Sequence, residues 1–199
     1  ATHHGAYDLA YLRCIPNITI AAPFDEEELR NMMYTAQLPD KGPFSIRYPK
    51  GTGFLEHWHT PFRELEIGKG RCLIEGEKVA IISIGSIGNY AKQAISEFEN
   101  DLVALYDMRF LKPIDETLLH NVFRKFRKII TLEDGTVTGG LGSAVLEFMS
   151  DHHYTATIVR LGIPDRFVEH GTQQELYTEC GYDKTAIIRN IQQLLQLEN

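Results

Sequence analysis

Three stretches of the chain hold residue types that could do chemistry. The first opens it, where His3 and His4 adjoin Gly5, with Tyr7 and Asp8 close behind. A histidine titrates near neutrality, so it can relay a proton or donate to a developing oxyanion. The second is Ile46-Arg47-Tyr48-Pro49-Lys50-Gly51. Arg47 and Lys50 stand where a strand is expected to end, the side on which open α/β sheets bind ligands. Two cations there suit a phosphate or a carboxylate. The third is Gly139-Gly140-Leu141-Gly142. A glycine-rich helix start exposes backbone N–H groups that can hold a phosphate. Gly140 and Gly142 imitate the start of a dinucleotide fingerprint, but Val145 stands where its third glycine belongs. Close helix–strand packing with a subunit contact is favoured at Gly139 to Gly142, and an anion or regulatory ligand site is the alternative. The incomplete fingerprint disfavours a nicotinamide-dependent oxidoreductase.

Weaker signals are read structurally. Gly85-Ser86-Ile87-Gly88 is a turn from a strand into a helix. His57 and His59 flank Trp58 and resemble a metal pair, but no third ligand lies near in sequence. They are read as surface or interface residues, and no metal site is expected. Cys14, Cys72 and Cys180 are odd in number and far apart, which indicates neither a disulfide framework nor a zinc site. A reducing cytoplasm follows as the default.

The bulk composition sets limits. At 199 residues, 43% hydrophobic and 24% charged, the chain has room for one large domain or a small one with part of another. A net charge of −7 argues against nucleic acid or an anionic membrane as partner, since both need a basic face. No apolar run approaches the roughly 18 residues of a membrane span. The dense polar cluster at the very start leads to the expectation that the chain is a piece of a larger enzyme, cut inside an active-site loop.

The elements that must position these residues follow from periodicity. Residues 17–22 read as a strand. Asp25 is an N-cap with Glu28 at the capping-box position, followed by a helix with Leu29, Met32, Met33 and Ala36 on its apolar face. Residues 44–48 read as a second strand, and residues 52–69 as a linker crossing a surface. From Gly70 the pattern is regular. Residues 71–75 and 78–84 look like a hairpin about Gly76. Helices with inward Ala91, Ala94, Ile95 and Phe98, then Leu118, Leu119, Val122, Phe123 and Phe126, alternate with strands at 102–106 and 128–132. A loop is expected at 133–138, a helix opening at Gly139 to Gly142 with Leu141, Ala144, Val145 and Phe148 inward, a strand at 155–160 and a helical tail from Thr172. Strands alternating with helices predict an α/β fold, a mostly parallel sheet with helices on both faces. Two strands and one helix in residues 1–51 cannot close a core alone.

Read as a whole, the motifs resemble a family. Thr2 to Pro16 (THHGAYDLAYLRCIP) is similar to the pyrimidine-domain motif of the 1-deoxy-D-xylulose-5-phosphate synthases, thiamine-diphosphate enzymes of the transketolase superfamily. The likeness continues through Arg47-Tyr48-Pro49-Lys50-Gly51, Arg109-Phe110-Leu111-Lys112-Pro113, Glu133-Asp134-Gly135, the glycine cluster and LGIPDRFVEHG at 161–171. The resemblance implies the tail of a pyrimidine-binding domain at residues 1–51, a linker at 52–69 and a transketolase C-terminal domain at 70–199. It implies that the parent enzyme condenses pyruvate with glyceraldehyde 3-phosphate, releasing CO2, with thiamine diphosphate and Mg2+ as cofactors, as a homodimer. His3 matches the family's active-site histidine. Lys50 lies where the family usually has a phosphate-gripping arginine, so the charge is kept and the bidentate fork is lost. Arg47 matches a family arginine and joins the substrate-binding set. The family's cofactor motifs lie in segments outside this chain. This polypeptide alone is therefore expected to bind no thiamine diphosphate and to be inactive.

Overall fold

The strand Val79–Ile84, β4, is buried at every position and stands at the centre of the larger sheet. A strand apolar on both faces needs cover on both, and the chain supplies it. A computed structural model describes residues 5–196. In chain order the elements are α1 (Asp8–Leu12), β1 (Thr19–Ala21), α2 (Glu26–Ala36), β2 (Phe44–Ile46), β3 (Arg71–Ile74), β4, α3 (Gly88–Ile95), β5 (Val103–Asp107), β6 (Phe110–Lys112), α4 (Glu116–Lys125), β7 (Lys128–Thr136), α5 (Leu141–Asp151), β8 (Thr157–Ile163), α6 (Gln173–Cys180) and α7 (Lys184–Gln196).

The five-stranded sheet has the order β3-β5-β4-β7-β8. Only β3 runs antiparallel to its neighbour. Alternate residues of β4 face opposite layers. Ala80, Ile82 and Ile84 pack with Leu119, Phe123 and Phe148 from α4 and α5, while Val79 and Ile81 pack with Ala91, Ile187 and Ile191 from α3 and α7. The mostly parallel sheet with helices on both faces is the expected architecture.

The first fifty residues dock onto this unit. Strand β1 pairs in parallel with β2 and antiparallel with β6, making a three-stranded sheet in the order β2-β1-β6. Leu9, Ile20 and Ala22 join the core on the α4–α5 side. Residues 52–70 carry no helix or strand.

Four local expectations give way. The hairpin about Gly76 does not form, because β5 lies between β3 and β4. Gly76 instead lets the chain pass over β5; a Cβ there would lie 2.3 Å from the Ala104 backbone nitrogen. Strand β7 runs on through Glu133 to Thr136 where a loop was expected. Its polar end stays in the sheet because the Glu133 carboxylate turns inward to the start of α5. Helix α2 buries Glu28, Asn31, Met32 and Thr35, while Met33 is 50% exposed. That face is polar because it serves the crossing segment: Asn31 Oδ1 accepts the Arg63 N–H at 3.1 Å and Thr35 Oγ1 the Leu65 N–H at 2.9 Å. Asp25 does cap α2, accepting the Glu28 N–H at 2.9 Å. The Glu28 side chain does not return to the cap, since Arg63, Arg71 and Arg109 surround it.

Candidate functional site

A cleft of about 820 Å³ opens between the start of the described chain, the end of β2 and the C-terminal helices. Residues 5–8 form one wall and residues 46–51 another, with Asp134, Phe167, Thr172 and Tyr177 opposite. Arg47 and Lys50, two of the three residues singled out from the sequence, therefore share one cavity. The third, His3, lies outside the described residues; Gly5, two positions further along the sequence, lines the cleft.

The two cations differ in what holds them. Arg47 is nearly enclosed and fastened. Its Nη1 donates to Asp134 Oδ2 at 3.0 Å, its Nη2 donates to the Gly5 carbonyl oxygen at 3.4 Å, and its Nε stands 3.8 Å from Asp8 Oδ1. Burial works to lower the Arg47 pKa, but the charges of Asp134 and Asp8 outweigh it and the net shift is upward. Asp8 is raised by its own burial, which the Arg47 charge only partly offsets. Lys50 is exposed at the cleft and has no hydrogen-bond or ion-pair partner among the described residues. Of the pair, Lys50 is the cation left open to an incoming anion.

Asp134 was not assigned a role from the sequence, although it stands in one of the family's motifs. Its Oδ2 also accepts the Tyr177 hydroxyl at 3.1 Å and its Oδ1 the Tyr182 hydroxyl at 3.0 Å. Burial, and then the Asp134 charge, push both phenols well above the ordinary tyrosine range. The available signal was an acidic residue at the end of a buried strand, and it points to no partner by itself.

The glycine cluster is not a free anion site. Glu133 Oε2 accepts the Leu141 N–H at 2.8 Å and Oε1 the Gly142 N–H at 2.9 Å, so an internal carboxylate already occupies the start of α5. Burial raises the Glu133 pKa to about 7 despite these donors. The glycines serve close approach. A Cβ on Gly142 would lie 2.8 Å from Thr131 Oγ1, and one on Gly139 would lie 3.2 Å from the Ala10 methyl. Arg13 donates to the Gly139 carbonyl oxygen at 2.7 Å, and Ala6 accepts the Thr136 N–H at 2.8 Å. The opening stretch and the glycine cluster are thus two sides of one packed contact.

His57 and His59 are exposed, with His59 stacked on Trp58 at 3.8 Å between ring centroids. No cluster of three or more His, Cys, Asp or Glu side chains able to hold a metal ion is present among the described residues. A diphosphate carried by a divalent cation needs converging oxygen ligands or free N–H groups at a helix start. Among the described residues, the glycine-rich start of α5 has its Leu141 and Gly142 N–H groups already taken by Glu133. No described helix is long and apolar enough to cross a membrane.

A second cluster ties the N-terminal segment to the sheet. Glu28 is 1% exposed. It meets Arg109 Nε at 2.8 Å, Arg71 Nη1 at 3.0 Å and Arg63 Nη2 at 3.2 Å. Arg71 also meets Asp107, whose pKa burial pushes up to about 6 against the pull of Arg71.

Similarity to known proteins agrees with this geometry. Residues 68–187 match the C-terminal domain of transketolase and residues 1–53 its pyrimidine-binding domain. Proteins named 1-deoxy-D-xylulose-5-phosphate synthase are similar over almost the whole chain. The one from Cytophaga hutchinsonii is 60% identical over 97% of this chain, and the one from Bacteroides thetaiotaomicron 59% over 96%. The chain spans 31% and 30% of the length of those two proteins. Among solved structures, a split-gene transketolase described as an inactive β4 tetramer superimposes with a TM-score of 0.83 at 31% identity, covering 100% of this chain and 64% of that one. With the C-terminal domain match covering more than half of its residues, the chain belongs to the transketolase family.

Proposed function

We propose that this chain is the C-terminal part of a 1-deoxy-D-xylulose-5-phosphate synthase and carries one wall of its substrate site. In the complete enzyme, pyruvate loses CO2 and its remaining two-carbon unit joins glyceraldehyde 3-phosphate, giving 1-deoxy-D-xylulose 5-phosphate. Thiamine diphosphate with Mg2+, held by other parts of that enzyme, supplies the electron sink. Residues 1–51 complete a pyrimidine-binding domain, residues 52–69 link, and residues 70–199 form the C-terminal domain. The open outer edge of β2 among the described residues favours this division, because the rest of a sheet can continue from it.

Within the wall, Lys50 receives the phosphate of glyceraldehyde 3-phosphate, and Arg47 holds the strand end that carries it. His3 hydrogen-bonds substrate oxygens and assists proton transfer. The enzyme acts as a cytoplasmic homodimer, and the 199-residue chain alone is inactive and binds no thiamine diphosphate.

The observation that carries this reading is the 60% identity over 97% of the chain, joined to a cleft in which Lys50 is an unengaged cation. The test is product analysis by mass spectrometry after supplying pyruvate and glyceraldehyde 3-phosphate. The complete enzyme should form 1-deoxy-D-xylulose 5-phosphate and the 199-residue chain none. A complete enzyme that leaves both substrates untouched would overturn the assignment. Micromolar binding of thiamine diphosphate to the 199-residue chain by calorimetry would overturn the reading that it binds none.

A further inference from the structure

Resting on the phosphate-binding role proposed for Lys50, we infer that Asp134 is a positioning residue for the substrate site, acting on Lys50 through Arg47. Arg47 precedes Lys50 by three residues and is the contact point of the whole wall. Its guanidinium reaches the Gly5 carbonyl oxygen and approaches Asp8 on one side, and it reaches Asp134 on the other. Asp134 is the one carboxylate of this group that belongs to the large sheet, on β7. Both of its oxygens are engaged, Oδ2 by Arg47 and Tyr177 and Oδ1 by Tyr182, so the carboxylate cannot turn without breaking several bonds at once.

The Arg47 and Asp134 side chains are 16% and 13% exposed. Water competes little at that depth, so the pair is stiffer than a surface ion pair. A lysine is a point charge on a flexible stem, and with no partner of its own its placement depends on the backbone beneath it. That backbone runs from Arg47. A chain of contacts therefore leads from the sheet through Asp134 and Arg47 to the strand end, and the same guanidinium steadies the loop next to the histidine motif. Loss of the Asp134 charge leaves Arg47 half-matched. Both walls then loosen together.

The test compares acceptors with and without a phosphate in the complete enzyme. The quantity is the ratio of kcat/KM for glyceraldehyde 3-phosphate to that for glyceraldehyde. Lys50→Ala and Asp134→Asn should each lower the ratio by about tenfold. The double variant should lower it no further than Lys50→Ala alone, as expected when two residues act through one contact. A purely structural Asp134 would depress both acceptors alike and leave the ratio unchanged, which overturns the inference. If Lys50→Ala leaves the ratio unchanged, the phosphate-binding role of Lys50 fails and the inference falls with it. If only Asp134→Asn leaves it unchanged, the inference alone falls. Should Asp134→Asn not fold, the Tyr177→Phe/Tyr182→Phe variant keeps both rings and removes both hydroxyls. It should lower the ratio by about threefold, and an unchanged ratio there also overturns the inference.

Discussion

The carboxylate of Glu133 accepts the Gly142 N–H at 2.9 Å, closing the first turn of α5 from inside the protein. Together with the bond from Leu141, this uses the donors that a phosphate would have used. It also places a carboxyl in a site where burial raises its pKa from 4.5 to about 7.

A pH dependence follows. With a folded pKa above the unfolded one, the folded chain binds more protons between about pH 4.5 and 7, so its stability falls as pH rises through that window. The Glu133 share is about 3 kcal/mol, at about 1.4 kcal/mol for each tenfold change in proton affinity. Glu133→Gln does not titrate. Urea unfolding at pH 5 and pH 8 should show a difference smaller in the variant than in the wild type by about that amount. Equal differences would mean that Glu133 stays ionised throughout.

Glu28 gathers three guanidinia while almost fully buried. Removing one partner of a buried ion pair strands the others, at a cost of about 3–5 kcal/mol. Glu28→Ala should therefore lower the unfolding free energy by about that much, read as a fall in urea midpoint. The loss should shrink when Arg109→Met is added, because one of the stranded cations is then gone.

At Gly76 the obstacle is backbone, since a Cβ would stand 2.3 Å from both Val103 C and Ala104 N. Gly76→Ala should destabilise by about 1–3 kcal/mol, with Tm falling about 2–4 °C per kcal/mol. Gly135→Ala, whose Cβ would meet nothing closer than 3.5 Å, is the control and should cost much less. Equal losses at both positions would refute the steric account.

Lys50→Arg tests the cleft by gain. A guanidinium can grip a phosphate through two parallel N–H donors, where an ammonium offers a point charge. In the complete enzyme the variant should lower KM for glyceraldehyde 3-phosphate by about two- to fivefold. KM for pyruvate should change less. An increase in KM for both substrates would indicate that the cleft is shaped around lysine.

Local patterns of one or two periods were legible in the sequence. The alternation of strands and helices after Gly70 announced the mostly parallel sheet, because a fully apolar strand such as β4 has to be covered twice. Asp25 announced a helix start through a bond that closes within three residues. That Arg47 and Lys50 sit together past one strand end was legible for the same local reason, and both line one cleft. Pairing across long separations was not. Nothing near Gly76 says that β5 will slide between β3 and β4, since pairing depends on which strands twist and pack best together. The polar buried face of α2 was misjudged because its partners lie some thirty residues away, at Arg63 and Leu65.

The sequence by itself determined the family and named the candidate cations Arg47 and Lys50, because those depend on chemical type and spacing. Only the tertiary structure decided which of those residues are free to act. It tied Arg47 to Asp134 across 87 positions and left Lys50 open. It also turned the Glu133 carboxylate into the glycine-rich helix start. The physical reason is the same in each case. A buried charge or N–H group must be matched, and the group that matches it is the one the fold brings near.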